Sequence, residues 1–219
     1  MFTYSREMVR VSTRIGITRA RMRKEPRQAR SRATVETIIE AGARVLAEEG
    51  WAGFTTNRVA HVAGVSIGSL YQYFPDKLSL TEAIRRRHFD EVLLVIRRSG
   101  DERKPFLELI EDLVGGMIEA HCVHPALHRV LLDEAPGAEG SRSAHDAFMS
   151  EYLDHYGAIV VRFQSNSGDV GIDIVAKVLS SAVEGVIHNA ARRGTLQSPE
   201  LKRELVTLVS LYLQGTNRQ

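Results

Sequence analysis

The stretch from Thr55 to Lys77 gathers short hydroxyls, two amides, two tyrosines and a lysine around Gly64 and Gly68. Those groups suit a DNA duplex. Gln72 can bond both edge atoms of an adenine, Ile67 can touch a thymine methyl, and Gly68 lets the backbone come close to the groove beside Ser69. Thr56, Ser66, Tyr71, Tyr73 and Lys77 suit phosphate oxygens, which fix register without reading sequence. Arg30, Asn57 and Arg58 complete the expected DNA contacts.

A second chemistry-bearing run is His121-Cys122-Val123-His124, followed by His128. Imidazole and thiolate nitrogen–sulfur sets bind zinc, copper or nickel, so a metal- or redox-sensing regulator built on His121, Cys122 and His124 is one alternative. Against it, Pro125 breaks the chain between His124 and His128, and no second cysteine is present. The expectation is therefore no metal and no cofactor. Gly64-Val65-Ser66-Ile67-Gly68 imitates a nucleophile elbow, but that motif needs a preceding strand. With no phosphate loop or dinucleotide fingerprint either, no enzyme is expected.

The elements that must carry these residues are helical. Val35, Ile38, Ile39, Gly42, Val45 and Leu46 follow one amphipathic face, which Gly50 ends. Thr56 is placed to cap a short second helix holding Val59, Ala60 and Ala63, and Ser66 a third running from Ile67 to Tyr73. Two short helices around a glycine turn make a helix-turn-helix. Pro75 and Asp76 then open a long helix to about Arg98. Further helices follow Pro105, continue past Pro125 to about Glu134, and open at a Ser143/Asp146 capping pair. The last two run from about Val170 to Arg193 and from Pro199 to Leu213, with Ser198 as cap. Pro136 to Ser141 and Ser165 to Gly168 read as loops. No alternating Val/Ile/Thr segment marks a strand. The fold class expected is all-α, with about nine helices.

The 219 residues carry a net charge of +2, but residues 1–34 alone carry +8, leaving −6 for the rest. A basic end on an acidic protein points to a polyanion at that end. Residues 1–29 read as a basic arm, 30–77 as the DNA-binding domain and 78–219 as a second, helical domain. The arm has no signal-peptide core, and translation beginning at Met22 would remove residues 1–21. One cysteine and no long apolar run fit a cytoplasmic protein without a membrane span.

Gly50, Thr56, Ala63 to Ser66, Gly68, Leu70, Tyr71, Tyr73, Phe74 and Lys77 together resemble the tetracycline-repressor (TetR/AcrR) family over about residues 30 to 85. Asn57 departs from the β-branched or basic residue common there. The resemblance implies a homodimer reading a palindromic operator, with half-sites about 34–36 Å apart or somewhat more. It also implies that residues 78–219 form an effector-binding and dimerisation domain, with release by a small-molecule effector. Helices from Pro105 to Phe163 would then enclose a pocket, with Met117, His121, Phe148, Tyr152, Tyr156 and His188 as its expected lining. The helix after Val170 is apolar on two faces and must be covered on both. Ile174, Val178 and Ala182, with Leu205, Leu208, Val209 and Tyr212 of the last helix, are the expected dimer contacts. Repression is the expected sense; operator position would make the same protein an activator.

Overall fold

The computed structural model describes residues 29–99, 103–137, 141–163 and 171–215, and every regular element among them is helical. The basic arm, the Met22 start and the loop at Ser165–Gly168 lie outside the described residues. So do the side chains of Arg30 and Ser143, although both stand within helices.

The first unit is α1 (Ala29–Gly53), α2 (Thr56–Ala63) and α3 (Ile67–Tyr73). Gly50 kinks α1 with φ 65° and ψ −177°, so the chain turns there as its sequence suggests and then completes one more helical stretch to Gly53. The cap of α2 falls one residue earlier than expected. Thr55 has the extended backbone a cap needs, and its hydroxyl accepts the Arg58 N–H at 3.1 Å. Thr56 is thus the first helical residue, and its side chain is released for another partner. Ser66 caps α3 as expected, accepting the Ser69 N–H at 3.1 Å.

Ile38, Leu46, Phe54, Val59, Leu70 and Phe74 close a fully buried core between these three helices. That core does not stop at the head. It takes Leu80 and Ile84 from α4 (Lys77–Ser99), and Leu127, Val130 and Leu131 from the short α6 (Leu127–Arg129) and the wide helical turn Val130–Glu134 behind it. Asp76 caps α4 through the Ser79 N–H at 2.7 Å. Arg85, buried on α4, ties the two segments together: it pairs with Glu82 at 2.8 Å and donates to the carbonyls of Leu131 and Ala135.

The second core joins α4 to α5 (Phe106–Cys122), α7 (Ser141–Phe163), α8 (Ile172–Arg193) and α9 (Pro199–Gly215). α7 begins at Ser141, ahead of the expected Ser143/Asp146 cap. Ser198 caps α9 by accepting the Leu201 N–H at 3.2 Å. Phe89 of α4 stacks on Phe148, with ring centroids 4.1 Å apart, and Phe148 continues into Tyr152 and Tyr156 along α7. No described helix is long and apolar enough to cross a membrane.

Candidate nucleic-acid interface and C-terminal chamber

The helix-turn-helix is positioned by one glycine and one buried stripe. Gly64 takes φ 65°, ψ 29°, a left-handed conformation that costs an L side chain roughly 1–2 kcal/mol. Leu70 and Phe74 point into the core, which turns the other face of α3 outward. Ile67, Gly68 and Gln72 are exposed there, and Ser69 is half-buried against Ser66 with their hydroxyls 2.8 Å apart. A Cβ on Gly68 would meet nothing closer than the Ser66 hydroxyl at 3.9 Å. Glycine inside a helix costs about 1 kcal/mol against alanine, and no described residue packs closely enough to require it here. An external surface approaching the backbone would.

The flanking groups are held in place. Tyr71 is 40% exposed, and its hydroxyl meets that of Thr56 at 3.0 Å, bridging α3 to the start of α2. This is the partner that the shifted cap makes available. Asn57 is exposed on α2 and Tyr73 is half-buried. Arg58 is drawn toward α1 by Glu49, Nε to carboxylate oxygen at 2.7 Å. Lys77 lies over the Trp51 ring at 3.6 Å and donates to the Trp51 carbonyl at 2.9 Å, so its ammonium is engaged with α1.

The expected effector residues are placed differently. Met117, Phe148, Tyr152 and Tyr156 are buried in the packed second core, because aromatics at i, i+4 spacing on α7 meet Phe89 and each other. None of them, nor His121, lines the open cavity of about 320 Å³ found between the end of α1, the α5–α6 junction and α8. Of the six, only His188 does. The rest of that wall includes Glu48, His124, Arg129, Ala191 and Arg192. Sequence periodicity could not have found it, since its residues come from elements far apart in the chain.

His121, Cys122 and His124 are not brought to one point. His124 reaches out to Glu40 at 2.9 Å, whereas His121 turns inward, its Nδ1 2.8 Å from the Met117 carbonyl. The residues gathered around His121 are instead His88 of α4, His128 of α6 and His188 of α8. His88 Nε2 and His128 Nδ1 share a hydrogen bond at 2.8 Å. Burial, reinforced by the neighbouring imidazoles, pulls the His88 pKa down to about 3 and that of His128 further in the same direction. Burial also lowers His121, and takes His188 to about 4. All four rings are neutral near pH 7. The α5–α6 bend puts His128 beside His121 despite Pro125, a proximity that linear spacing hid.

The expected dimer contacts divide. Ile174 and Val178 on α8 and Leu208 on α9 are exposed, with Ala182 and Tyr212 half-buried. Leu205 and Val209 are not available: at 2% and 0% exposure they are core residues of this chain, one helical face away from Leu208. Leu211, 63% exposed, belongs with the outward set and was missed because α9 is apolar on more than one face.

Residues 38–84 match the family model described as bacterial regulatory proteins, tetR family, and residues 105–213 that of the tetracyclin repressor-like C-terminal domain. The HTH-type transcriptional repressor AcnR of Corynebacterium diphtheriae is 25% identical over 181 residues, covering 78% of this chain and 88% of that protein. Among solved structures, the regulator FadR from Bacillus subtilis in complex with stearoyl-CoA superposes with a TM-score of 0.67 at 16% identity, over 82% of this chain and 98% of that one. A SmeT–triclosan complex gives 0.63 at 22% identity, over 84% and 91%.

Proposed function

This chain belongs to the TetR family of DNA-binding transcriptional regulators, and from that premise we propose that it is a repressor whose dimer binds a palindromic operator through α3 and is released by a small-molecule effector. The observation that carries the reading is the outward face of α3, where Ile67, Gly68 and Gln72 stand free while Leu70 and Phe74 anchor the helix from behind. Gln72 reads a base edge. Thr56, Ser66, Tyr71 and Tyr73 hold phosphates, and Lys77 joins them by leaving the Trp51 ring. Asn57 and Arg58 approach from α2, and Arg30 with the basic arm adds contacts that make affinity fall steeply with salt.

Two such heads need a fixed separation. The exposed apolar residues Ile174, Val178, Leu208 and Leu211 support pairing of α8 and α9 with the same helices of a second copy. The relatives support effector control, since one neighbour is solved with stearoyl-CoA and another with triclosan. The effector of this chain enters the cavity beside His188. Its walls come from both α1 and the C-terminal helices, so an occupant there contacts two parts that must shift against each other. To swing a 99:1 population fully, it must prefer the released state by about 5.5 kcal/mol. Such a regulator works in the cytoplasm.

Gel shift and footprinting on DNA upstream of the protein's own gene test this reading. A protected palindrome is expected, with a salt slope that flattens when Arg27, Arg30 and Arg32 are replaced by glutamine. Absence of protection at low salt would rule the repressor reading out.

A further inference from the structure

Three buried imidazoles from three separate helices meet behind the reading head, and neither the DNA contacts nor the dimer pairing proposed above uses them. One ring nitrogen each of His88, His121 and His128 lies within 4.8 Å of the other two. We propose that these three histidines form a binding site for a divalent first-row transition metal ion, with zinc as its reference occupant.

Distances support it first. Zinc–nitrogen bonds of about 2.0–2.1 Å in tetrahedral array put ligand nitrogens about 3.4 Å apart. The 2.8 Å His88–His128 contact has to open slightly as the proton between them moves to the far nitrogen of the donating ring, and the wider pairs have to close by rotation of the rings. The tautomers support it next. A carbonyl only accepts, so the 2.8 Å contact to Met117 places the His121 proton on Nδ1 and leaves the lone pair on Nε2. That Nε2 is buried and has no hydrogen-bond partner among the described residues. A ligating histidine that donates its other N–H to a backbone carbonyl is the usual arrangement around a protein-bound metal.

His188 completes the site. Its ring centroid is 4.4 Å from that of His128, and its Nε2 is likewise buried and without a partner. Standing outside the 4.8 Å group, it suits a water in the fourth coordination position, on the side where the cavity opens. Neutral imidazoles with neither thiolate nor carboxylate among them favour zinc, nickel, cobalt or copper over magnesium or calcium. The ion would join α4 to α5 and α6. Because α4 leads directly out of the reading head, occupancy sets how the head is held; this consequence rests on the repressor reading, whereas the metal site does not.

The test uses the full chain, stripped with a chelator and titrated with Co²⁺ and then Zn²⁺. One ion per chain is expected, with the visible bands of tetrahedral cobalt, displaced by zinc. His121→Leu and His128→Leu should each weaken binding by more than ~10-fold, the scale already seen for groups that only support a ligand. His124→Gln should leave it unchanged. Melting of the metal-free variants checks that they fold, and zinc-edge absorption on the unaltered chain, reading three imidazole nitrogens, needs no variant. No cobalt band, or a band that survives the His121→Leu/His128→Leu pair, overturns the site. Equal affinity of loaded and stripped chain for the footprinted DNA overturns the coupling to α4, and failure of both forms to bind any upstream DNA defeats the repressor reading instead.

Discussion

Neighbouring residues on α3 have opposite duties, and substitution separates them. Gln72 is exposed. Gln72→Ala should leave the melting temperature unchanged while costing about 1–3 kcal/mol of discrimination at one base pair of the operator, read by gel shift on single-base variants. Uniform weakening across all variants would mean that Gln72 holds a phosphate. Leu70, fully buried two positions earlier, should behave in the opposite sense. Leu70→Ala should destabilise the fold by roughly 2–5 kcal/mol in urea. The Thr56–Tyr71 hydroxyl pair, at 3.0 Å and exposed, is a positioning contact between α2 and α3.

α4 is the element on which the two cores meet, sending Leu80 and Ile84 into one and Phe89, Val92 and Ile96 into the other. Any tilt of it must move both. Arg85 is a polar tie between α4 and the Val130–Glu134 turn, and both it and Glu82 are almost wholly buried. Arg85→Met alone leaves the Glu82 carboxylate buried and unpaired, which should cost about 3–5 kcal/mol in urea unfolding. Replacing both together, Glu82→Leu with Arg85→Met, should recover most of that loss, since apolar packing repays what a buried ion pair spends on desolvation. Equal stability of the single and double variants would show that Arg85 acts through the Leu131 and Ala135 carbonyls and not through Glu82.

For the molecule as a whole, the decisive surface is the apolar stripe left on α8 and α9. Ile174 is 57% exposed and Leu211 63%, while Leu205 and Val209 on the adjacent faces are sealed inside. Ile174→Asp combined with Leu211→Asp should give a folded monomer by light scattering, with operator affinity reduced more than ~100-fold because one head gains nothing from the other's binding. Leu205→Asp should instead unfold the C-terminal domain, as a charge placed in its core has no partner. A doubly substituted chain that remains dimeric would place the interface elsewhere.

Helical periodicity, capping residues and a glycine turn are local properties, so the sequence alone was enough for the all-α class, the helix-turn-helix and the exposure of Ile67, Gly68 and Gln72 on α3, though not for the half-burial of Ser69 and Tyr73. Local chemistry also located Ser66 and Ser198 as caps, and missed Thr55 by one residue because two adjacent threonines offer the same hydroxyl. Whether Tyr152 lines a pocket or fills a core, and whether Leu205 faces a partner or its own chain, depends on what packs opposite. That is decided by helices distant in the chain. The same holds for His88, His121, His128 and His188: no spacing rule connects them, and only the folding of α4, α5, α6 and α8 against one another brings four imidazoles into a single contact.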